Sequence, residues 1–250
     1  MTALPDLSVQ LYSVRAALAQ DPAGTLGRLA GIGLTRVEPF RLVEHAAMLE
    51  EALPDSDLTA PTTHAHLVGT ADLAEVFEAA VRLGIGTVIE PMATPERWTS
   101  RAGVEEVAAE LTEAGRAASA YGLGIGYHNH WFELESVIDG RHALEVFAEL
   151  TEPSLVLEVD TYWAAVGGAE VPALLGRLGG RVRALHLKDG PIDRDDAAQL
   201  PLGRGSMPVR EVVAAATAVE VPVLEFDGYA GDLFEGIAES YRYARGLEVG

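Results

Sequence analysis

The stretch GYHNHWFE, residues 126–133, places three potential metal ligands or proton carriers close together in the chain. His128 and His130 are separated by one residue, and Glu133 follows three positions later. Because the chain has no cysteine, any metal site in it must use His, Asp and Glu, and such ligands suit Mn, Co, Zn, Fe or Mg. The spacing therefore predicts a metal-binding or proton-transferring segment.

Other polar residues recur along the chain, each at the end of a short apolar run. These runs alternate with longer amphipathic runs, and this pattern predicts strand followed by helix throughout the sequence. The predicted strands are Ser8–Tyr12, Arg36–Pro39, Thr62–Leu67, Thr87–Pro91, Leu123–His128, Leu155–Asp160, Arg183–Lys188 and Val221–Phe226. The predicted helices are Thr25–Ile32, Leu42–Ala52, Ala71–Leu83, Val104–Tyr121, Ala143–Leu150, Val171–Leu178, Val209–Ala218 and Leu233–Gly246.

Eight strand–helix units in 250 residues favour an α/β fold, namely a single (β/α)8 TIM barrel that covers residues 1–250 as one domain. A doubly wound sheet is the alternative, but the sequence has no GxGxxG motif after its first predicted strand and no P-loop. Active sites of such barrels lie at the carboxyl ends of the strands. The polar residues at the predicted strand ends should therefore surround the mouth of the barrel.

Composition and charge restrict the classes of partner. The chain has 38 acidic and 18 basic residues, and its net charge of −20 opposes binding to nucleic acid and to anionic membranes. No apolar run is long enough to span a membrane, and the first residues lack the pattern of a signal peptide. We therefore expect a cytoplasmic protein that binds a small molecule. The sequence leaves the oligomeric state open, a homo-oligomer included.

Asp160, His186 and Glu225 lie at the ends of the sixth, seventh and eighth predicted strands. These strands are neighbours in a closed barrel, so the three side chains can meet around one divalent ion. Carboxylates buried at a barrel mouth are unfavourable unless they are paired or bind a cation, and Lys188 is the only basic residue at a predicted strand end. A fourth ligand should come from the fifth strand, where Glu133 and His128 are both candidates.

Several motifs together carry a family resemblance that covers nearly the whole chain. The sequence resembles the sugar phosphate isomerase/epimerase family of xylose isomerase-like TIM barrels in the motifs LSVQLYSVR, VEPF, YHNHWFEL, LEVDTYW, RVRALHLKDG, LGRGSMPV and VLEFDGY. The resemblance implies one divalent metal ion, most often manganese, held by Glu, Asp, His and Glu from the last four strands. Asp160, His186 and Glu225 match the last three of these ligands.

The chain departs from the family pattern at two positions. Tyr127 stands where the family has the first Glu ligand, and this leaves three alternatives: Glu133 as the fourth ligand, which we favour, His128, or only three protein ligands. Trp163 stands where many sugar epimerases have a His that touches the substrate. An indole at this position favours stacking on a sugar ring, although packing beneath a loop is an equal alternative.

The remaining polar residues receive roles around the expected metal ion. We assign proton transfer to His130 and catalytic roles to Glu225 and Lys188. The loop after the seventh strand contains Gly203, Arg204 and Gly205, where barrels often bind phosphate, but it offers a single Arg. His64 and His66 alternate on the third predicted strand and should share one face. The residues assigned to substrate binding are Glu38, His66, His128, Trp163 and Arg204.

The resulting hypothesis is a divalent-metal-dependent sugar isomerase or epimerase that removes a proton next to a carbonyl and passes through an enediolate. The alternative is a metal-dependent dehydratase or lyase that acts on a keto sugar or keto-glycoside, because loss of a β-substituent can follow the same proton abstraction. An abasic-site endonuclease is opposed by the net charge of −20 and the lack of a basic groove. A non-catalytic sugar-binding protein would bind a sugar without a metal ion.

Overall fold

The structure, a computed structural model, describes residues 2–249 and contains a curled parallel sheet of seven strands. Neighbouring strands of this sheet are also consecutive along the chain, with one exception. At one edge, the last strand of the sheet, Val221–Leu224, pairs with the first, Ser8–Val9. In spatial order the strands are Ser8–Val9, Val221–Leu224, Val182–Leu187, Val156–Asp160, Gly124–His128, Thr87–Glu90 and Thr62–His64.

Residues 35–39 close the gap between the two edge strands of this sheet. The backbone N–H of Glu38 donates to the carbonyl of Val9 at 2.8 Å, and the N–H of His64 donates to the carbonyl of Pro39 at 2.8 Å. Isolated parallel bridges join Gln10 to Glu38 and Arg36 to Thr59. The predicted second strand is therefore present as single bridges, and the predicted α/β TIM-barrel fold is confirmed.

Helices on the outside of the sheet follow most of the strands, in the order that the sequence predicts. Asp21, Asp72, Ser100 and Asp232 accept hydrogen bonds at helix N-termini, and such bonds satisfy backbone donors that have no partner within the helix. The longer helices are Pro22–Ile32, Leu42–Ala52, Leu73–Arg82, Arg101–Ser119, Ala143–Leu150, Val171–Leu178, Val209–Ala215 and Leu233–Ala244.

Three short helices follow strand ends and were not predicted: Arg15–Gln20, Phe132–Glu135 and Thr161–Val166. Each has six residues or fewer, which is too short to display a helical period in the sequence. Two small antiparallel pairs lie outside the barrel, Thr2–Ala3 with Glu248–Val249 and Val137–Ile138 with Arg141–His142.

Apolar side chains from the strands and the helices form one buried cluster that runs from Leu4 to Val249. This cluster is consistent with the predicted single domain, which stays a prediction. Among residues 2–249, no helix combines the length and the apolar character that a membrane span requires.

Candidate metal centre

Four side chains converge at the carboxyl ends of four adjacent strands, and we call them the outer cluster: His128, Asp160, His186 and Glu225. Each residue offers one potential ligand atom, and these atoms all lie within 4.8 Å of one another. Strand register brings this about, because Asp160 lies opposite His186 and Val223 lies opposite His186 on its other side. All four residues are buried.

The donor set of the outer cluster fits a divalent cation. His186 Nδ1 lies 2.5 Å from Glu225 Oε2, and His128 Nε2 lies 3.8 Å from Asp160 Oδ2. Two imidazole nitrogens and two carboxylate oxygens suit a first-row transition metal ion better than Mg²⁺, which prefers oxygen ligands alone. Asp160 Oδ2 is buried and accepts no backbone N–H; its one close donor is Lys188 Nζ at 2.8 Å, so it retains a lone pair for a ligand. Burial raises the pKa of Asp160 to about 6, and a bound cation would favour its charged form.

Deeper in the barrel lies an inner cluster, which we define as Glu38, His64 and Glu158. Glu158 precedes Asp160 by two residues on the same strand, so both carboxylates face the barrel interior. His64 Nε2 lies 2.6 Å from Glu158 Oε2 and 3.3 Å from Glu38 Oε1. His64, His128, Glu158 and His186 form a second group whose potential ligand atoms lie within 4.8 Å of one another. The barrel interior is therefore polar through two successive layers.

Lys188 is buried beside the outer cluster and faces three carboxylates. Its Nζ lies 2.8 Å from Asp160 Oδ2, 2.7 Å from Glu225 Oε2 and 2.6 Å from Asp227 Oδ2. Burial alone would lower the pKa of Lys188, but the negative charges of Asp160, Asp227 and Glu225 outweigh burial and raise it well above its usual value. Lys188 therefore stays protonated and can donate hydrogen bonds, but it cannot act as a base.

His130 faces the mouth of the barrel. Its ring stacks on Phe132 with the centroids 5.6 Å apart, and its Nδ1 is buried without a hydrogen-bond partner. Burial, followed by the positive charge of Lys188, lowers the pKa of His130 to about 4. The imidazole is therefore neutral near pH 7 and has a free nitrogen to offer to a bound molecule.

A cavity of about 260 Å³ opens above the clusters. His64, His128, His130 and Glu225 contribute to its polar side. Tyr12 and Met92 also line it, and both are exposed apolar side chains at its rim. The cavity thus joins the outer cluster to solvent and combines polar and apolar contacts, as small-molecule sites do. The other lining residues are Gln10, Phe40, Arg41, Ala65, His66, Pro91 and Asp227.

The structure does not bring Glu133 into the outer cluster. The short helix Phe132–Glu135 turns Glu133 away from the ion-binding atoms, and its carboxylate accepts hydrogen bonds from Tyr127 Oη at 2.7 Å and from the His130 N–H at 2.9 Å. Burial raises the pKa of Glu133 to about 8. His128 lies in the cluster instead, so the geometry favours the alternative that we had placed second.

Of the residues assigned to substrate binding, Glu38 lies below the cavity and His66 lies at its rim. Glu38 is fully buried below the outer cluster, where its carboxylate is hydrogen bonded to Gln10 and His186. His66 has a side chain that is 65% exposed, and its Nδ1 lies 3.0 Å from Glu90 Oε1. The third strand ends at His64, so the alternation that should aim both histidines at one face does not reach His66.

Trp163 is buried close to the centre. Its ring packs against Trp131 with the centroids 5.2 Å apart, and Lys188 Nζ lies 5.5 Å from the centroid of its ring. Its backbone N–H donates to Asp160 Oδ1 at 2.8 Å, which fixes the carboxylate at the start of the helix Thr161–Val166. Trp163 Nε1 is buried without a partner. The indole therefore packs in the wall beside the cluster, and its stacking on a sugar ring stays a prediction.

Arg204 does not face the cavity. Its side chain is 66% exposed and pairs with Glu239 on the outer surface. The carboxylate of Asp189 fills the glycine-rich loop, because it accepts the backbone N–H groups of Gly203 at 2.8 Å, Gly205 at 3.0 Å and Met207 at 3.0 Å. A fourth bond comes from the N–H of Gly190 at 2.8 Å. The donors that could hold a phosphate thus already hold a carboxylate.

Glu158 and Asp189 are buried polar residues of the site region to which no sequence motif assigned a role. A signal for Glu158 was present, since a carboxylate in the middle of an apolar strand, two residues before Asp160, must share its face. Asp189 follows Lys188 at a strand end, but no local pattern indicates that residues 203–207 return to it. Only the tertiary structure places that loop around its carboxylate.

Residues 34–223 match the family model for xylose isomerase-like TIM barrels. The chain belongs to this family. A sugar phosphate isomerase/epimerase from Parabacteroides distasonis superposes with a TM-score of 0.83 and 21% identity, over 98% of this chain and 94% of that one. A xylose isomerase-like protein from Mycobacterium smegmatis, solved with magnesium, has a TM-score of 0.73 and 16% identity, over 98% and 97% of the two chains.

Among proteins of curated function, the chain is similar to inosose dehydratase from Geobacillus kaustophilus. The two are 26% identical over 178 residues, which is 68% of this chain. The matched region spans 54% of that relative, or about half of its length. One of the proteins to which this chain is similar is therefore named for isomerisation or epimerisation, and another is named for dehydration.

Proposed function

We propose that the protein is a divalent-metal-dependent sugar isomerase or epimerase whose ion is held by His128, Asp160, His186 and Glu225. The observation that carries the proposal is the outer cluster, in which four ligand atoms lie within 4.8 Å of one another beneath an open cavity. His128 takes the place of Glu133, the ligand that the sequence favoured. Manganese is the first candidate for the ion, with Co, Zn, Fe and Mg as alternatives.

The chain's own residues divide the chemistry around this site. A bound divalent ion supplies a Lewis acid that polarises a sugar carbonyl. His130 accepts the proton from the carbon next to that carbonyl, since its imidazole is neutral and its Nδ1 is free. Lys188 remains cationic, and its charge beside Asp160 and Glu225 offsets part of the negative charge that develops on the substrate oxygen. When His130 returns the proton to the neighbouring carbon, the sugar is isomerised. Epimerisation requires that a second donor deliver a proton to the opposite face of the same carbon.

We propose that the substrate is a sugar without a phosphate group. Asp189 occupies the backbone donors of residues 203–207, and Arg204 pairs with Glu239 away from the cavity. The net charge of −20 also opposes a dianionic substrate. We expect a neutral sugar to react in preference to its phosphate ester.

A dehydratase or lyase is the second candidate. The similarity to inosose dehydratase supports it, and the proton that His130 takes from carbon can pass to the departing hydroxyl group, which then leaves as water. The first step, removal of a proton next to a carbonyl, is common to both candidates. They differ in whether the substrate then loses water.

The deciding experiment combines metal analysis of the purified protein with a screen of neutral keto and aldo sugars in deuterated water. We expect one divalent ion per chain and deuterium uptake next to a carbonyl, at a rate that falls when the ion is removed. Deuterium uptake by a sugar that loses no water supports isomerisation or epimerisation. Loss of water with a new unsaturated carbonyl absorbance supports the dehydratase. Sugar binding by a protein that takes up no metal would contradict both.

A further inference from the structure

His128 and His186 stand between the outer and inner clusters, and each presents one ring nitrogen to each side. His128 directs Nε2 toward Asp160 at 3.8 Å and Nδ1 toward Glu158 Oε2 at 3.2 Å. His186 directs Nδ1 toward Glu225 at 2.5 Å and Nε2 toward Glu38 Oε1 at 2.7 Å. The two rings therefore use opposite nitrogens for the outer cluster.

The inner carboxylates are themselves held in place. Glu38 accepts a hydrogen bond from Gln10 Nε2 at 2.8 Å and another from the hydroxyl of Thr62. Glu158 Oε2 lies 2.6 Å from His64 Nε2, and the His64 ring stacks on His186 with the centroids 5.3 Å apart. Both carboxylates are fully buried. Neither can turn away from the histidines without leaving a buried charge unpaired.

We propose that Glu38 and Glu158 are positioning residues, which hold the His186 and His128 rings so that Nδ1 of His186 and Nε2 of His128 are the nitrogens that bind the ion. Each carboxylate accepts the N–H of the nitrogen that does not bind, Nε2–H of His186 and Nδ1–H of His128. The two histidines then exist as opposite tautomers. A carboxylate that accepts from a ligating histidine also makes the ligand more basic.

This inference rests on the proposed metal site in the outer cluster. The alternative is that the ring nitrogens on the inner side, together with Glu158 and His64, hold a second cation. Gln10 and Thr62 satisfy Glu38 without a cation, and this favours the positioning role for Glu38. Glu158 Oε1 is buried without a hydrogen-bond partner, so a second cation would have to bind at Glu158. The number of bound ions distinguishes the two cases.

The test uses Zn²⁺ alone, because it is diamagnetic and needs no substrate. Its affinity and stoichiometry are measured by competition with a chelator for the wild type, Glu38→Gln and Glu158→Gln. Glu90→Gln is the matched control, since Glu90 is also fully buried on a barrel strand, but its hydrogen bonds go to His66 and to the N–H groups of Leu67, Val68 and Met92.

We expect one ion per chain in all four proteins, with affinity lowered by about 10- to 100-fold in the two inner variants and unchanged in the control. If Glu38→Gln or Glu158→Gln binds Zn²⁺ with wild-type affinity, the carboxylate replaced in that variant is not a positioning residue. Two ions per wild-type chain would overturn the positioning role in favour of the second cation. A wild type that binds no Zn²⁺ would remove the proposed metal-dependent function and this inference with it.

A second measurement needs no variant and remains decisive if a substitution prevents folding. Long-range ¹H–¹⁵N spectra of the Zn²⁺-loaded wild type, labelled at histidine, report which ring nitrogen carries the proton. We expect the proton on Nδ1 of His128 and on Nε2 of His186. The same protonated nitrogen in both rings would contradict the proposal, even if the metal affinity follows the expected order.

Discussion

Asp160 and Asp189 are both buried carboxylates that follow neighbouring strands, yet folding uses them differently. Asp189 accepts four backbone N–H groups, which occupy both of its oxygens. Asp160 accepts one backbone N–H through Oδ1, and its Oδ2 accepts none. The first carboxylate holds a loop in place, and the second keeps one oxygen free of backbone hydrogen bonds, beside Lys188, two histidines and a glutamate. Hydrogen-bond saturation separates the structural carboxylate from the one available to a ligand.

The largest effect on metal binding is expected when Asp160, the carboxylate with the fewer hydrogen bonds, is replaced. Asp160→Ala should lower the affinity for a divalent ion by more than about 100-fold, because it removes a proposed ligand. This loss of affinity should be larger than the loss caused by replacing Glu38 or Glu158, which only hold the ligands in place. His186→Ala should do the same. Metal analysis after dialysis measures the loss. Wild-type metal content in either variant would end the assignment of that residue as a ligand.

The next effect concerns turnover without metal loss. His130→Ala should keep the ion, because His130 lies outside the outer cluster, but it should lower the rate of proton exchange by about 10²- to 10⁴-fold. His128→Ala is the matched comparison and should lose the ion. If the His130 variant loses metal while the His128 variant keeps it, the two histidines have exchanged roles.

Glu133 is a third kind of buried carboxyl group, one whose pKa is raised by burial so that it keeps its proton in the folded protein. Its pKa is raised from 4.5 to about 8 by burial, so between these values the folded state holds a proton that the unfolded state has released. Stability should therefore fall as the pH rises through this window, by at most about 1.4 kcal/mol per pH unit. Urea unfolding of metal-free wild type and Glu133→Gln from pH 5 to pH 8 should show a steeper loss of stability in the wild type, because Asp160, whose pKa is also raised, contributes equally to both proteins. Parallel curves would mean that Glu133 is ionised in the folded protein.

The smallest effect on metal binding is expected when Asp189, whose two oxygens are both hydrogen bonded, is replaced. Asp189→Asn should destabilise the protein by about 1–3 kcal/mol, because the amide NH₂ would face backbone donors that it cannot accept. Metal content should not change, since Asp189 lies outside the outer cluster. Arg204→Ala, in the same loop, is the control and should alter neither stability nor selectivity against sugar phosphates by a measurable amount. Metal loss in the Asp189 variant would place this carboxylate at the site instead of in the loop.

Much of the fold could be predicted because it rests on local periodicity. The helices Leu42–Ala52, Ala143–Leu150 and Val171–Leu178 begin and end at the predicted residues, since each has a clear apolar face and a polar boundary. The second barrel strand was harder, because its residues meet their neighbours through single bridges, and pairing of this kind depends on contacts across the chain.

The candidate site, like the fold, could be predicted from the sequence only in part. The sequence alone indicated that Asp160, His186 and Glu225 should meet, because parallel strands in a barrel bring their carboxyl ends to one rim. It could not decide between Glu133 and His128, since that depends on how the chain turns after the fifth strand. The short helix Phe132–Glu135 decides it by directing Glu133 to Tyr127. The loop around Asp189 likewise depends on residues 14 to 18 positions away, and only tertiary packing sets such contacts.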